Sequence, residues 1–395
     1  MKSILMCIAG MLLFAAVSAA QTFTTLYSFT GRDGELPQAG VVRDKAGNVY
    51  GTTWWGGRFI SRFNFGSGVV FKVTSDGTET VLHSFCLYTH CPDGAHPGAA
   101  LVPDNTGSIY YGTTVEGGSG TNCFSGCGVV FKIDTTGNET VLHSFAGGTS
   151  DGCHPFQGLV RDTAGDLYGT TIFCGAHNQG TIFKIDSAGT ETILHNFAGG
   201  SHGGDGSGHL ILDTAGNLYG LAAGSQVNCN NDCGVLYELT AKGKFTILHR
   251  FAGGKTDGCY PQGSVLQDTA GNFYGTTLEC GSNNYGTIWK VSNTGTETIL
   301  HNFVGFSDGC APYAGVARDL TGNLYGVTYG CGPNNYGTLY ELSAKGRLIL
   351  LHSFAGTDGV NPYGEVLRTP KGTLFGTTGG DDCHVSCGTV WKYMP

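Results

Sequence analysis

The sequence contains few charged residues. Lysine, arginine, aspartate and glutamate make up 13% of its 395 residues, against about 25% in an average soluble domain. Acidic residues outnumber basic ones by 30 to 21, and the formal net charge is −9. A cationic surface for nucleic acid or anionic lipid is therefore not expected, because both are bound through their phosphates. We expect no nucleic-acid partner.

Sustained helical periodicity is also missing, and no long apolar run follows the N-terminal segment. The chain has 67 glycines and many short runs of Val, Ile, Thr, Tyr and Phe, which end at glycine or polar turns. Such runs are typical of β-strands. Their abundance excludes a disordered low-complexity chain and favours an all-β fold.

Residues 1–20 have the pattern of a secretory signal peptide. Lys2 is followed by an apolar stretch over residues 4–17 and by the small residues Ser18, Ala19 and Ala20. The alternative is an uncleaved membrane anchor. We predict cleavage before Gln21, a single domain over residues 21–395, no membrane insertion afterwards, and a secreted protein, extracellular or periplasmic.

One tetrapeptide, an aromatic residue followed by glycine and two residues that are mostly threonine, recurs seven times. Its copies begin at Tyr50, Tyr111, Tyr168, Tyr219, Tyr274, Tyr325 and Phe375. The spacing of 50 to 61 residues is typical of a repeat architecture.

Each repeat predicts four strands. In the third copy these are residues 158–162, 166–171, 180–185 and 191–197, joined by turns such as Asp162-Thr-Ala-Gly165. Both faces of these strands carry apolar residues, so each sheet needs a neighbour on either side. Radial stacking provides both neighbours, and the sequence therefore predicts a seven-bladed β-propeller with four antiparallel strands per blade.

The two ends of the chain complement each other. The last repeat has only three strands, at residues 364–368, 373–378 and 388–393, whereas residues 22–29 match an isolated fourth strand. We predict that this N-terminal strand completes the last blade and closes the ring. A closed ring leaves no free edge, and we expect a monomer.

Fourteen of the 15 cysteines lie beyond the signal segment, and an even number in a secreted protein predicts disulfides. The repeat indicates the pairs Cys86–Cys91, Cys123–Cys127, Cys153–Cys174, Cys229–Cys233, Cys259–Cys280, Cys310–Cys331 and Cys383–Cys387. All lie in loops between blades or between strands two and three, which share one face of a propeller. We call this the top face. Zinc binding by the CxxxC pairs is the alternative.

Two polar motifs recur in the repeat. Asp-Gly occurs once between blades, at Asp33, Asp93, Asp151, Asp205, Asp257, Asp308 and Asp358. A ring of carboxylates for a cation or a polyhydroxylated ligand is one interpretation, and a turn that every blade needs is the favoured one. Histidine recurs in the fourth strand at His83, His143, His195, His249, His301 and His352. Histidines on separate blades lie too far apart to share one ion, so we predict packing against the next sheet and no metal site.

Deviations from the repeat indicate a ligand site on the top face. The first blade has a long aromatic and arginine-rich loop between strands two and three, and the next interblade loop carries an aromatic residue and a histidine. The candidate residues are Trp54, Trp55, Arg58, Phe59, Arg62, Phe63, Phe65, Tyr88 and His90. Exposed aromatics beside arginines suit sugar stacking or a protein contact. The alternative is an insertion packed over the pore.

Catalytic motifs are not apparent. The off-pattern acids Glu35, Glu116, Glu279, Asp381 and Asp382 are not paired by the sequence, whereas glycoside cleavage needs two nearby carboxyls. We predict no catalytic residue and no cofactor.

The repeat resembles the GloVer tandem repeat of secreted bacterial proteins, which include choice-of-anchor proteins. The resemblance rests on Gly-Asn-Leu-Tyr-Gly at residues 216–220 and 322–326 and on the Thr-[Ile/Val]-Leu-His-[Ser/Asn]-Phe pattern of the fourth strand. It implies an exported, envelope-associated protein and implies no activity. The leading hypothesis is a secreted module that binds or adheres to a glycan or a protein through its top face. The alternatives are an extracellular glycan hydrolase or lyase and a purely structural envelope protein.

Overall fold

The structure is a computed structural model that describes residues 21–58, 66–87, 90–200, 203–224, 233–380 and 386–395. Within these ranges the chain forms 31 β-strands and no α-helix. The predicted signal peptide lies outside them, so its cleavage stays a prediction.

The strands form seven antiparallel four-stranded blades, as predicted. Blade 1 contains β2 (Val42–Arg43), β3 (Val49–Thr53), β4 (Val69–Val73) and β5 (Glu79–Ser84). Blade 2 contains β6 (Val102–Pro103), β7 (Ile109–Thr114), β8 (Val129–Asp134) and β9 (Glu139–Ser144). Blade 3 contains β11 (Val160–Arg161), β12 (Leu167–Thr171), β14 (Thr181–Ile185) and β15 (Glu191–Asn196). Blade 4 contains β17 (Ile211–Leu212), β18 (Leu218–Ala223), β19 (Val235–Leu239) and β20 (Phe245–Arg250).

The remaining blades follow the same order. Blade 5 contains β21 (Gly258–Gln267), β22 (Phe273–Cys280), β23 (Thr287–Val291) and β24 (Glu297–Asn302). Blade 6 contains β25 (Ala317–Arg318), β26 (Leu324–Thr328), β27 (Thr338–Leu342) and β28 (Leu348–Ser353). Blade 7 contains β29 (Leu367–Arg368), β30 (Leu374–Thr378), β31 (Thr389–Met394) and the N-terminal β1 (Thr22–Ser28). Three short strands extend the top loops: β10 (Gly152–Cys153), β13 (Phe173–Cys174) and β16 (Gly204–Gly206).

Aspartate turns join the first two strands of blades 1 to 6, and Thr369 takes the place of aspartate in blade 7. In blade 3 the Asp162 carboxylate accepts hydrogen bonds from the backbone N–H groups of Gly165 (2.8 Å) and Asp166 (2.9 Å). The side chain thereby satisfies donors that a two-strand turn would leave unpaired, which is why Asp begins these turns.

The core consists of seven hydrophobic clusters, one at each seam between neighbouring blades. At the seam between blades 1 and 2, Tyr50 and Val70 pack against Tyr110 and Phe131. The seam between blades 7 and 1 is filled in the same way. Seven seams for seven blades mean that the ring is closed.

Closure follows the predicted arrangement. β1 pairs with β31 in antiparallel register, with Phe23 opposite Tyr393 and Thr22 opposite Met394. The Phe23 ring lies 5.8 Å from that of Trp391 in blade 7 and 5.5 Å from that of Phe354 in blade 6. The N-terminal strand thus completes one sheet and packs on the next.

The repeated threonines also join blades. Thr52 donates a hydrogen bond to the carbonyl of Ala99 in the next blade (2.9 Å), and Thr377 does so to Ala39 across the closing seam (2.8 Å). The second threonine acts within a blade, as in the 2.9 Å contact between the hydroxyls of Thr171 and Thr181. The hydroxyls therefore stabilise the sheet and its seams.

Disulfides cross-link the top loops. Five of the predicted bonds are present: Cys86–Cys91, Cys123–Cys127, Cys153–Cys174, Cys259–Cys280 and Cys310–Cys331. Cys233 and Cys387 are also disulfide-bonded, while Cys229 and Cys383 lie outside the described residues. So many bonds indicate an oxidising environment. In the described part of the chain no helix is long and apolar enough to cross a membrane.

Candidate functional site

A depression on the top face lies between blades 1 and 2. It has a cavity volume of about 510 Å³ and includes the exposed His90 from the predicted site. Its wall is completed by loop residues of both blades: Ser67, Cys91, Ala95, His96, Glu116, Gly118, Gly120, Thr121, Cys123, Phe124, Ser125 and Gly126. Two disulfides, Cys86–Cys91 and Cys123–Cys127, brace this wall.

A histidine–glutamate pair lies in the depression. Nε2 of His96 is 3.7 Å from a carboxylate oxygen of Glu116. On its other side, Nδ1 of His96 donates a hydrogen bond to the carbonyl oxygen of Trp54 (3.1 Å). Because a carbonyl only accepts, Nδ1 carries the proton and Nε2 faces the carboxylate. A polar ligand can therefore donate a hydrogen bond to the Glu116 carboxylate and contact Nε2 of the His96 imidazole.

Trp54 supports this wall from below. Its half-buried ring stacks on His96 with centroids 5.2 Å apart and lies 5.4 Å from Phe156. Phe156 lines the central channel. The three rings therefore connect the depression to the channel, and much of the indole faces protein rather than solvent.

Of the other predicted residues, the structure describes only Trp55 and Arg58. Trp55 is half-buried and exchanges two backbone hydrogen bonds of 2.9 Å with Glu35, whereas Arg58 is exposed. Phe59, Arg62, Phe63, Phe65 and Tyr88 lie outside the described residues. Whether these side chains join one surface with His90 stays a prediction.

Sequence reasoning overlooked Phe124. Its side chain is fully exposed, at 108% of the reference area, and it forms part of the depression. The sequence could have indicated this residue through its position between Cys123 and Cys127. A short loop closed by a disulfide has little conformational freedom, so it holds an apolar side chain in solvent at little further entropic cost.

The central channel contains a second pair that the sequence did not reveal. Nδ1 of His209 in blade 4 lies 3.8 Å from a carboxylate oxygen of Glu365 in blade 7. Gln38, Phe156, Tyr313 and Tyr363 are among the other lining residues. The cavity volume is about 40 Å³, which is room for roughly three waters at about 10–15 Å³ each. A sugar ring does not fit there.

The Asp-Gly motif builds turns, as its favoured interpretation predicts. Asp308 accepts a hydrogen bond from the backbone N–H of Val304 (2.9 Å) and contacts Nε2 of His301 (2.8 Å). A Cβ on Gly309 would collide with the side chain of Thr328, so only glycine fits. The carboxylate faces the outer-strand histidine, so it does not contribute to a ring around the channel.

Four blades begin their fourth strand with glutamate, and these carboxyls lie in the seams. Burial and the charge of Asp33 raise the pKa of Glu79 to about 7, and burial raises that of Glu139 to about 7. Burial together with Asp151 raises the pKa of Glu191 to about 8, and burial together with Asp257 raises that of Glu297 to about 9. Burial lowers the pKa of the facing His143.

The depression does not contain a pair of carboxylates among its described residues. Glu116 is its one carboxyl, and Glu35 and Glu279 are not part of its wall. Asp381 and Asp382 lie outside the described residues. The two nearby carboxyls that glycoside cleavage needs are therefore not brought together here.

The fold and the braced top face define a seven-bladed β-propeller with disulfide-linked top loops. The sequence profile of the Gloeobacter/Verrucomicrobia repeat matches residues 10–231 and 206–395, and the chain belongs to this repeat family. A comparison with curated proteins finds no match.

Solved structures show the same fold at low sequence identity. The virginiamycin B lyase from Staphylococcus aureus is 14% identical, with a TM-score of 0.59 over 95% of this chain and 99% of that one. A puromycin hydrolase mutant is also 14% identical, with a TM-score of 0.50 over 88% of this chain and 50% of that one. These likenesses extend to the fold and not to an activity.

Proposed function

We propose that this protein is a secreted binding module that holds an extracellular glycan in the top-face depression between blades 1 and 2. The observation that carries the proposal is the exposed Phe124 ring beside the His96–Glu116 pair in a cavity of about 510 Å³. An aromatic ring packs on the apolar face of a sugar, while imidazole, carboxylate and hydroxyl groups bind its hydroxyls.

The mixture of side chains favours a glycan over a protein ligand. Ser67, Thr121 and Ser125 place hydroxyls around Phe124, the one large apolar side chain among the described residues of the depression. A protein hot spot is instead centred on several buried aromatic or arginine anchors. A protein ligand remains the second candidate if the arginine-rich loop of blade 1 joins the surface through Arg58.

Secretion is part of this proposal. It is supported by the signal-like residues 1–20 and by disulfides concentrated on one face, because such bonds persist in oxidising compartments. A catalytic role is not favoured, since the described depression lacks a second carboxyl.

Binding of the purified, disulfide-bonded protein to a glycan array tests the proposal, with Phe124→Ala as the site variant. We expect this variant to lose most of the signal, about tenfold, because stacking contributes about 1.4 kcal/mol. Leu320→Ala is the matched control, because Leu320 is equally exposed, at 103%, but lies in the first turn of blade 6 on the opposite face.

A second variant, Glu116→Gln, removes the negative charge and keeps the size of the side chain. We expect it to weaken the same glycan signals without changing the melting temperature, since the Glu116 side chain is about one-third exposed. Glycan binding that survives both variants would place the ligand elsewhere. A protein captured through the Arg58 loop with no glycan signal would favour the second candidate.

A further inference from the structure

Two seams between blades bring together a histidine, an aspartate and a glutamate. His143 of blade 2, Asp151 of the following loop and Glu191 of blade 3 form one group, and His249, Asp257 and Glu297 form the equivalent group between blades 4 and 5. In each group one nitrogen or oxygen atom per residue lies within 4.8 Å of the others. The groups lie at the outer strands, away from the top-face depression.

In each group the histidine Nε2 and one glutamate oxygen lack a hydrogen-bond partner. Nε2 of His143 and one carboxylate oxygen of Glu191 are buried and make no hydrogen bond, and the same holds for His249 and Glu297. Nε2 of His143 lies 3.9 Å from Asp151 and 3.7 Å from Glu191. These distances exceed hydrogen-bond range but are close to the roughly 3.4 Å that separates two ligands of a tetrahedral zinc ion with bonds of about 2.1 Å.

The aspartate of each group is held in place by backbone hydrogen bonds. Asp151 accepts from the N–H groups of Ala146 and Gly152, both at 2.6 Å, and Asp257 accepts in the same way from Ala252 and Gly258, also at 2.6 Å. Fixed outer contacts orient a metal-binding carboxylate and reduce the cost of assembling the site.

In other seams the equivalent histidine has a hydrogen-bond partner. His301 and His352 contact their aspartates directly, at 2.8 and 2.7 Å. Phe23 stacks on His352 with ring centroids 3.7 Å apart, and Leu348 begins the fourth strand of the blade that follows His301. Between blades 1 and 2 the three residue types recur, but His83 contacts Asp93 at 3.0 Å and the three residues do not form such a group.

We infer that the His143–Asp151–Glu191 and His249–Asp257–Glu297 groups are two sites for a divalent transition-metal ion, best suited to zinc, that join neighbouring blades. One imidazole and two carboxylates provide three ligands, and the 18% exposed His143 edge leaves a fourth position to water. Mixed nitrogen and oxygen ligands suit zinc better than calcium, which takes oxygen ligands alone.

Zinc content tests this inference directly. The disulfide-bonded protein is loaded with Zn²⁺, exchanged into metal-free buffer, and analysed by inductively coupled plasma mass spectrometry. We expect two ions per chain in the wild type, one in Glu191→Gln and none in Glu191→Gln/Glu297→Gln. Glu139→Gln is the matched control, because it makes the same substitution at the equivalent strand position of blade 2 and keeps both ions.

A second readout separates metal loss from unfolding. Cobalt(II) added in place of zinc gives the visible absorption of a four-coordinate site in the wild type and not in the double variant, while far-UV circular dichroism is the same for both. The inference would be overturned if the wild type retained no zinc. In that case a proton shared between the carboxyls of Glu191 and Asp151 would join the two blades. Zinc retained equally by the double variant would also overturn the inference.

Discussion

At the scale of single residues, the neighbouring blade determines what a repeated side chain does. His195 stacks flat on Phe245 with ring centroids 4.0 Å apart, and His352 stacks on Phe23 at 3.7 Å. His143 occupies the same position but faces Glu191. The residue that begins the next fourth strand therefore decides whether the histidine packs against an aromatic ring or meets a carboxyl.

The seam carboxyls make stability depend on pH. Glu139 has a usual pKa of 4.5, raised to about 7 in the folded protein by burial, with Asp93 raising it further and His83 opposing the change. The folded state therefore binds this proton more tightly than the unfolded state. The stabilisation that this proton provides is therefore present in full below about pH 4.5, and it is lost as pH rises through about 7.

We expect Glu139→Gln to raise the melting temperature at about pH 8 and to flatten its decline between about pH 5 and 8. The gain is about 1 kcal/mol, which is less than the full pKa shift implies because the carboxyl is partly exposed to solvent. Thermal unfolding across this pH range measures it, and Thr140→Ala, an exposed neighbour on the same strand, is the control. A variant as pH-dependent as the wild type would contradict this account.

At the scale of elements, the top loops are irregular segments attached to regular sheets. Glycine gives these loops conformational freedom, and the disulfides limit it. In the chain-entropy description, closing 22 residues contributes about 3.4 kcal/mol and closing five residues about 2 kcal/mol. The loops with 21-residue separations should therefore depend on their bonds most.

The pair Cys310–Cys331 provides a test, because Cys310 is half-buried and its replacement disturbs packing less than that of the buried Cys259. We expect Cys310→Ala/Cys331→Ala to lower the free energy of unfolding by about 3 kcal/mol and Cys86→Ala/Cys91→Ala, a short loop with half-buried cysteines, by about 2 kcal/mol. Denaturant unfolding measures both, and adding a reductant to the wild type is the control. The reverse order of losses would argue against loop length as the cause.

The repeat made the fold and five of the disulfide pairs predictable, because the strand signals recur in every unit and each main cysteine spacing recurs in three of them. The site was less predictable for a physical reason. Trp54 and His96 are 42 residues apart, and their contact exists only because two blades stand side by side. The sequence does show that glutamate begins the fourth strand in some blades, as Glu191 does, whereas Phe23, Phe245 and Leu348 take its place in the others. What this difference means follows only from the geometry of the seams.

At the scale of the whole molecule, closure by β1 connects the two ends of the chain. Removing residues 22–28 leaves β31 as an unpaired edge and takes Phe23 from its place against His352, Phe354 and Trp391. We expect this truncation to lower the free energy of unfolding by more than the 3–5 kcal/mol, roughly, of one buried phenylalanine. The exposed edge should also make the protein associate through edge-to-edge pairing.

A synthetic peptide of residues 22–28 should reverse both effects when added to the truncated protein. It restores the backbone pairing with β31 and the Phe23 contacts without a covalent link, so binding depends on sequence as well as on strand formation. Melting temperature and sedimentation measure the rescue, and the same peptide with Phe23→Ala separates ring packing from edge pairing. A truncated protein as stable and monomeric as the wild type would mean that the six uninterrupted blades hold the ring without the N-terminal strand.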